Sequence, residues 1–226
     1  MPRPLVPDRR GRILAAARDL ILATGWTHVT VADVAARAGI GKGAVYLEFP
    51  DRAAILDAVL TRSVRQLTAD VHARVLAAPD LVDLPAVYRF AVEALLGDPL
   101  MRALYLGDEA VLGRHVHDVP DDRYLRRLGW LTDYVTDLQR AGVLDPEVPA
   151  GTVVRVLSTF TLGMVHAPGV LGATRADDLS ATVGLFADLV GRGLAPDRPA
   201  DPQAARAAQL ALLERLDAQL DLLGPA

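Results

Sequence analysis

The chain has 226 residues, 51% of them apolar but only 5% aromatic, a balance that suits packed helices and leaves room for a small and a larger domain. Without cysteine there is neither a disulfide framework nor a thiolate site, and no apolar run approaches the ~18 residues of a membrane span. The N-terminal residues 1–12 lack the apolar core of a secretory leader, so the chain is expected in the cytoplasm with no membrane partner, and its net charge of −4 argues at first against nucleic acid.

Residues 1–7 hold three prolines and read as a loose arm. Asp8 can cap a first helix that runs to about Thr24, with Ile13, Leu14, Ala17, Leu20 and Ile21 in one apolar stripe. Gly25 stops it, and Trp26 is expected as a core anchor. Two short helices joined by a tight turn follow in residues 30–49. Thr30 caps the first, and Asp33 three residues on completes a capping box. Val31, Val34, Ala35 and Ala38 then recur at helical spacing, and Gly39 suits the positive φ that ends a helix. Gly41 to Leu47 begins the second helix, with Val45 and Phe49 on its inner side. This is the arithmetic of a helix-turn-helix, whose second helix enters the DNA major groove.

Charge is distributed to match. Residues 1–60 hold eight basic and six acidic side chains, so this part carries +2 and the remainder −6. Lys42 is the only lysine in the chain and stands at the start of the second helix. Its flexible stem can reach a phosphate or a guanine. Tyr46, four residues on, shares that face, while Gly43 and Ala44 have almost no side chain to hold the helix off the groove floor.

The stretch resembles the DNA-binding domain of the tetracycline-repressor (TetR) family of bacterial regulators over roughly residues 9–60. The carriers are Ile13-Leu14, Ala16-Ala17, Gly25-Trp26, Thr30, Val34-Ala35, Ala38-Gly39-Ile40, Gly43, Tyr46, Phe49 and Arg52. The resemblance implies backbone contacts from Thr30, Lys42, Tyr46 and Arg52. With the residues around them, the expected DNA-facing set is Thr30, Val31, Gly41, Lys42, Gly43, Ala44, Tyr46, Leu47, Glu48 and Arg52. Two departures stand out. Leu47 and Glu48 occupy positions where many relatives carry aromatic, basic or histidine side chains. Leu47 can touch a thymine methyl; Glu48 can accept from cytosine N4 or form an ion pair with a nearby Arg. Gly41 replaces the more usual Ser and forfeits a good N-cap.

Asp51 caps a long helix from Arg52 to about Ala77, and the domain boundary is placed within it, giving a head of residues 1–55 and a body of residues 56–226. In the body, helices are expected over residues 85–96, 100–106, 120–141, 153–165 and from Asp177 or Asp178 to about Leu194. Residues 107–119 show no clear period, and a break is expected at Pro168-Gly169. Residues 195–202 read as a proline-rich linker. The last helix, 203–223, has a narrow leucine stripe and is expected to pack within a dimer. The fold class is therefore all-α: an N-terminal three-helix DNA-binding domain with a helix-turn-helix, followed by a helical ligand-binding and dimerisation domain. Two heads on a two-fold axis would read a palindromic double-stranded DNA operator, so a homodimer is expected.

The resemblance also implies a small-molecule effector held in the body. The bulky or polar-tipped candidates on inner helix faces are Tyr88, Met101, Tyr105, Trp130, Tyr134, Phe160, Met164 and His166, and the absence of an obvious charged pair among them points to a largely apolar effector. His115-Val116-His117 has zinc-like spacing but no third ligand at helix spacing, so it reads as a solvated loop and no metal is expected. The glycines at 39, 41 and 43 lack the strand and spacing of a phosphate loop, and no Ser or His stands in a nucleophile pattern. No cofactor and no catalysis are expected. The function read from the sequence is a ligand-responsive transcriptional regulator, most often a repressor in this family. A DNA-binding protein controlled by a protein partner, or a helical small-molecule carrier, remain as alternatives.

Overall fold

The structure, a computed structural model, describes residues 8–117, 128–197 and 199–222. These residues form helices and no strand: α1 Arg9–Thr24, α2 Val31–Ala38, α3 Lys42–Tyr46, α4 Arg52–Ala77, α5 Leu84–Gly97, α6 Pro99–Leu106, α7 Glu109–Leu112, α8 Leu128–Arg140, α9 Ala150–Leu171, α10 Ala176–Gly193 and α11 Pro202–Leu222. Short 3₁₀ turns at Trp26–His28 and Gly113–His117 fill two of the connections.

Five helix starts follow one chemical rule. The carboxylates of Asp8, Asp51, Asp83, Asp98 and Asp108 each accept a backbone N–H from the first turn of the helix that follows. An aspartate there satisfies an orphan donor and places negative charge at the positive end of the helix dipole. The α2 start uses the expected capping box, and Gly39 ends that helix in the left-handed conformation at φ 67°.

One apolar cluster holds the first half of the molecule together. Ile13, Leu14, Val34, Val45 and Phe49 from the head share it with Leu56 and Val59 of α4, Leu100 and Met101 of α6, Leu112 of α7 and Val183 of α10. The core of α1–α3 thus continues across residue 55 into the body. A second cluster joins α8, α9, α10 and α11 through Val135, Leu138, Val153, Leu157, Val190 and Ala205.

One expectation is corrected here. Helix α9 starts at Ala150 and continues to Leu171, through the expected break at Pro168-Gly169. A proline removes its own N–H bond and crowds the carbonyl four residues back, but near the end of a 22-residue helix that cost does not stop the backbone. Helix α11 packs on its own chain. Leu213 packs with Val75 and Val82, and Arg206 Nη2 donates to the carbonyl of Ala78 at 2.8 Å. That guanidinium serves carbonyls left over at the C-terminal end of α4, where a cation also suits the dipole. The side chains of Leu216, Leu220 and Leu223 lie outside the described residues. The expected helix over 120–141 is described only from Leu128 on.

Candidate nucleic-acid interface

The turn between α2 and α3 is closed by backbone bonds from Gly39 and Ile40 to the carbonyls of Ala36 and Ala35, both near 3 Å. Val34, Ala35, Ala38 and Val45 are buried beneath it, which fixes how α3 crosses α2. Arg12 of α1 donates to the carbonyl of Ala38 at 2.6 Å, covering the last turn of α2. At the start of α2 the Thr30 hydroxyl and backbone N–H both donate to Asp33, at 2.6 and 2.9 Å, and hold its carboxyl below the usual carboxylate range.

The expected DNA-facing residues separate into two sets. Gly41, Lys42, Gly43, Tyr46 and Leu47 are exposed, Ala44 is half-buried beside them, and Tyr46 and Leu47 present 48% and 76% of their surfaces to solvent. Lys42 Nζ stands 6.0 Å from the Tyr46 ring, so charge and phenol share one face. Open space surrounds a Cβ built on Gly43, as a position that approaches a groove floor requires. Thr30 is exposed at the start of α2, but its hydroxyl is engaged with Asp33.

Val31, Glu48 and Arg52 differ from expectation. Val31 is 8% exposed and belongs to the core, because the stripe of α2 turns it inward with Val34. Glu48 is half-buried and accepts from Arg9 Nε at 2.8 Å. Of its two open readings, the ion pair is the one realised. The Arg52 guanidinium donates to the Trp26 carbonyl and lies over the Trp26 ring, 4.0 Å from its centroid. That contact joins α4 to the turn after α1 and directs Arg52 inward.

The sequence reading missed what the arginines of α1 do. Arg9 binds Glu48, and Arg10 stacks on Phe49 at 4.5 Å from the ring centroid while reaching the Glu48 carbonyl at 3.4 Å. Neither arginine belongs to the expected DNA-facing set. They brace the C-terminal end of α3 instead, and the adjacent Glu48-Phe49 was the available signal. Lys42 is consequently the cation that α3 itself presents outward.

The five body candidates whose side chains are described do not converge on one cavity. Met101 is fully buried, and Tyr105, Phe160 and Met164 pack against the same cluster. Phe160 stacks on Phe186 with ring centroids 3.6 Å apart. Tyr134 belongs to the second cluster and lines a half-open cleft of about 290 Å³. The side chains of Tyr88, Trp130 and His166 lie outside the described residues, as does that of His117. No group of metal-ligating side chains occurs among the described residues, and none of their helices is long and apolar enough to cross a membrane.

Comparison with known proteins bears on this arrangement directly. Residues 13–59 match the model for bacterial regulatory proteins of the tetR family. Over 64 residues the chain is 38% identical to the HTH-type transcriptional regulator AlkX of Mycobacterium tuberculosis, a match spanning 28% of this chain and 30% of that protein. The chain thus spans less than a third of the length of that curated relative. The fold extends the likeness: a TetR-family transcriptional regulator from Pectobacterium atrosepticum superposes with a TM-score of 0.61 at 20% identity, over 84% of this chain and 95% of that one. The TetR family repressor AlkX from a Dietzia strain does so with a TM-score of 0.51 at 18% identity, over 84% and 98%. Residues 13–59, the helix-turn-helix head, are thus a head of the tetR family of bacterial regulatory proteins.

Proposed function

We propose that the chain is a sequence-specific transcriptional regulator that binds a palindromic operator as a homodimer, represses from it, and is released by a small, largely apolar effector. The observation that carries the DNA-binding part is the outward face of α3. Lys42, Gly43, Tyr46 and Leu47 are exposed together on a helix whose far end is held by Arg9 and Arg10. Lys42 supplies charge for phosphate, Gly43 permits close approach, and Leu47 offers an apolar contact to a thymine methyl.

A homodimer is supported by an exposed apolar face on α9 and α10. Val156, Leu185 and Leu189 present 49%, 63% and 60% of their surfaces, more than an isolated helix face leaves to water without purpose. Release would be a population shift, in which the effector binds the DNA-incompetent arrangement more tightly. The core shared by head and body gives such a shift a physical route.

Binding of duplex operator DNA by Lys42→Ala and Tyr46→Phe tests the reading. Both variants should bind more weakly. Lys42→Ala should also flatten the dependence of log affinity on log salt by about one unit of slope, the loss of one phosphate contact. Unchanged affinity in both variants contradicts this docking.

A further inference from the structure

Helix α4 joins the DNA-reading head to the body, and its two ends sit in different cores. Ile55, Leu56 and Val59 belong to the cluster that holds α1–α3, whereas Val75 packs in a smaller one with Val82 and Leu213. From Val59 to Val75 the helix runs about 24 Å, so a sideways shift of about 2 Å at the far end tilts it by about 5°. What closes that far end is α11. The Gln209 amide, 2% exposed, grips both backbone groups of Val82: Nε2 donates to the carbonyl at 2.8 Å and Oε1 accepts from the N–H at 3.2 Å. Oε1 also accepts from Arg206 Nη1 at 2.9 Å, and Arg206 Nη2 donates to the carbonyls of Ala78 and Leu76 at 2.8 and 3.4 Å. One connected set of bonds therefore runs from the last turn of α4 to the segment that leads into α5. Val82 lies outside any helix, so burial without Gln209 would leave its N–H and carbonyl unpaired. The apolar contact of Leu213 with Val75 and Val82 holds α11 in place but has no direction; the two-point amide bond fixes the orientation of the connection as well.

We propose that Gln209, with Arg206, is a positioning residue for DNA binding: it clamps the far end of α4 and thereby fixes the spacing between the two heads of a dimer. The inference rests on the palindrome-reading homodimer above and names the residues that set its spacing. Once one head is bound, the second binds at an effective concentration governed by the stiffness of the connection between them. A stiff connection concentrates the second head at one half-site separation. A loose one lowers that peak and spreads it over neighbouring separations. Gln209 and Arg206 act at the end of α4 remote from the helix-turn-helix, so the affinity of one head for one half-site is independent of them.

Equilibrium binding of the full chain to a spacer series tests it: the palindrome selected by wild type, the same half-sites moved apart by one, two and three base pairs, and one half-site alone. Wild type should lose at least about tenfold in affinity at two added base pairs. In Gln209→Leu that loss should shrink to about threefold or less, with weaker binding at the native separation and half-site affinity within about twofold of wild type. Arg206→Met should behave alike, and it decides the matter if the thermal transition of Gln209→Leu shows that variant to be unfolded. Arg215→Ala removes a 3.1 Å bond from the same helix to Asp133 of α8 rather than to α4, and should keep the wild-type profile. A spacer profile unchanged in both variants, half-site affinity that falls in step with the palindrome's, or the same flattening in Arg215→Ala would each overturn the proposal. A wild-type chain that selects no palindrome removes the regulator reading and this inference with it. A sharp wild-type profile that both variants share removes the clamp alone.

Discussion

Arg18 of α1 and Asp98 at the start of α6 meet at 3.1 Å, and the same carboxylate accepts the N–H groups of Leu100 and Met101 at 2.8 and 3.0 Å. One side chain thereby caps a body helix and holds the DNA-reading head against it. Burial alone would raise the Asp98 pKa, but hydrogen bonds from Met101, Arg18 and Leu100, with the Arg18 charge, outweigh it and leave the carboxyl below its usual 3.8.

That direction gives a pH dependence. A carboxyl whose folded value lies below its unfolded value stabilises fully above the unfolded value and loses the contribution as pH falls through the folded one. Asp98→Asn keeps an acceptor and removes the charge. At pH 7 it should be less stable than wild type by about 0.5–1 kcal/mol, and the two should converge as pH falls below the folded value of the Asp98 carboxyl. Denaturant titrations at several pH values measure this; a constant gap across the range contradicts it.

Glu48 is tied to Arg9, and a pair that persists on DNA would keep it from reading bases. Glu48→Ala should therefore leave the preferred base at every operator position unchanged. Release of Arg9 should raise affinity for all duplexes and steepen the salt dependence. Selection of bound random duplexes by both proteins decides; a base preference that shifts at one position would show that Glu48 reads DNA.

Two glycines should respond in opposite ways. Gly25 has φ +79°, and a Cβ there would collide with the backbone carbonyl of Ala110. Gly25→Ala should destabilise by more than about 1 kcal/mol, since neither the angle nor the backbone neighbour can yield cheaply. Gly43 faces open space, so Gly43→Ala should leave thermal stability unchanged or raise it by up to about 0.5 kcal/mol while weakening DNA binding. A Gly43→Ala variant that binds DNA normally would mean α3 does not approach the groove floor at that position.

The exposed leucines of α10 report on assembly. Leu185→Glu combined with Leu189→Glu should yield a folded monomer by light scattering, with operator affinity reduced by orders of magnitude because one head must act alone. A double variant that stays dimeric places the interface elsewhere.

Much of the head was readable because its signals are local. Thr30 and Asp33 meet within one turn, Gly39 needs a positive φ two residues before the next helix cap, and Val45 and Phe49 lie one turn apart. The partners of long side chains were not readable. Arg9, Arg10 and Arg52 carry the same charge as a phosphate contact, and only the fold shows that they reach Glu48, Phe49 and Trp26. Pro168 is a local signal that failed: near the end of a 22-residue helix, one lost N–H bond and a crowded carbonyl did not stop α9. Gln209 lies 127 residues from Val82 in the chain, and no periodicity links an amide to a distant strap of backbone. The described body candidates do not converge for a related reason: aromatic residues at helical spacing mark a buried face, not whether that face encloses a cavity.

Selection of genomic duplex fragments by the purified chain at near-physiological salt tests the central claim most directly. Enrichment of one palindrome, bound by two copies of the chain and lost in Lys42→Ala, is the expected result. Retention of fragments without any shared sequence, at an affinity no better than for random duplex, would contradict a sequence-specific regulator.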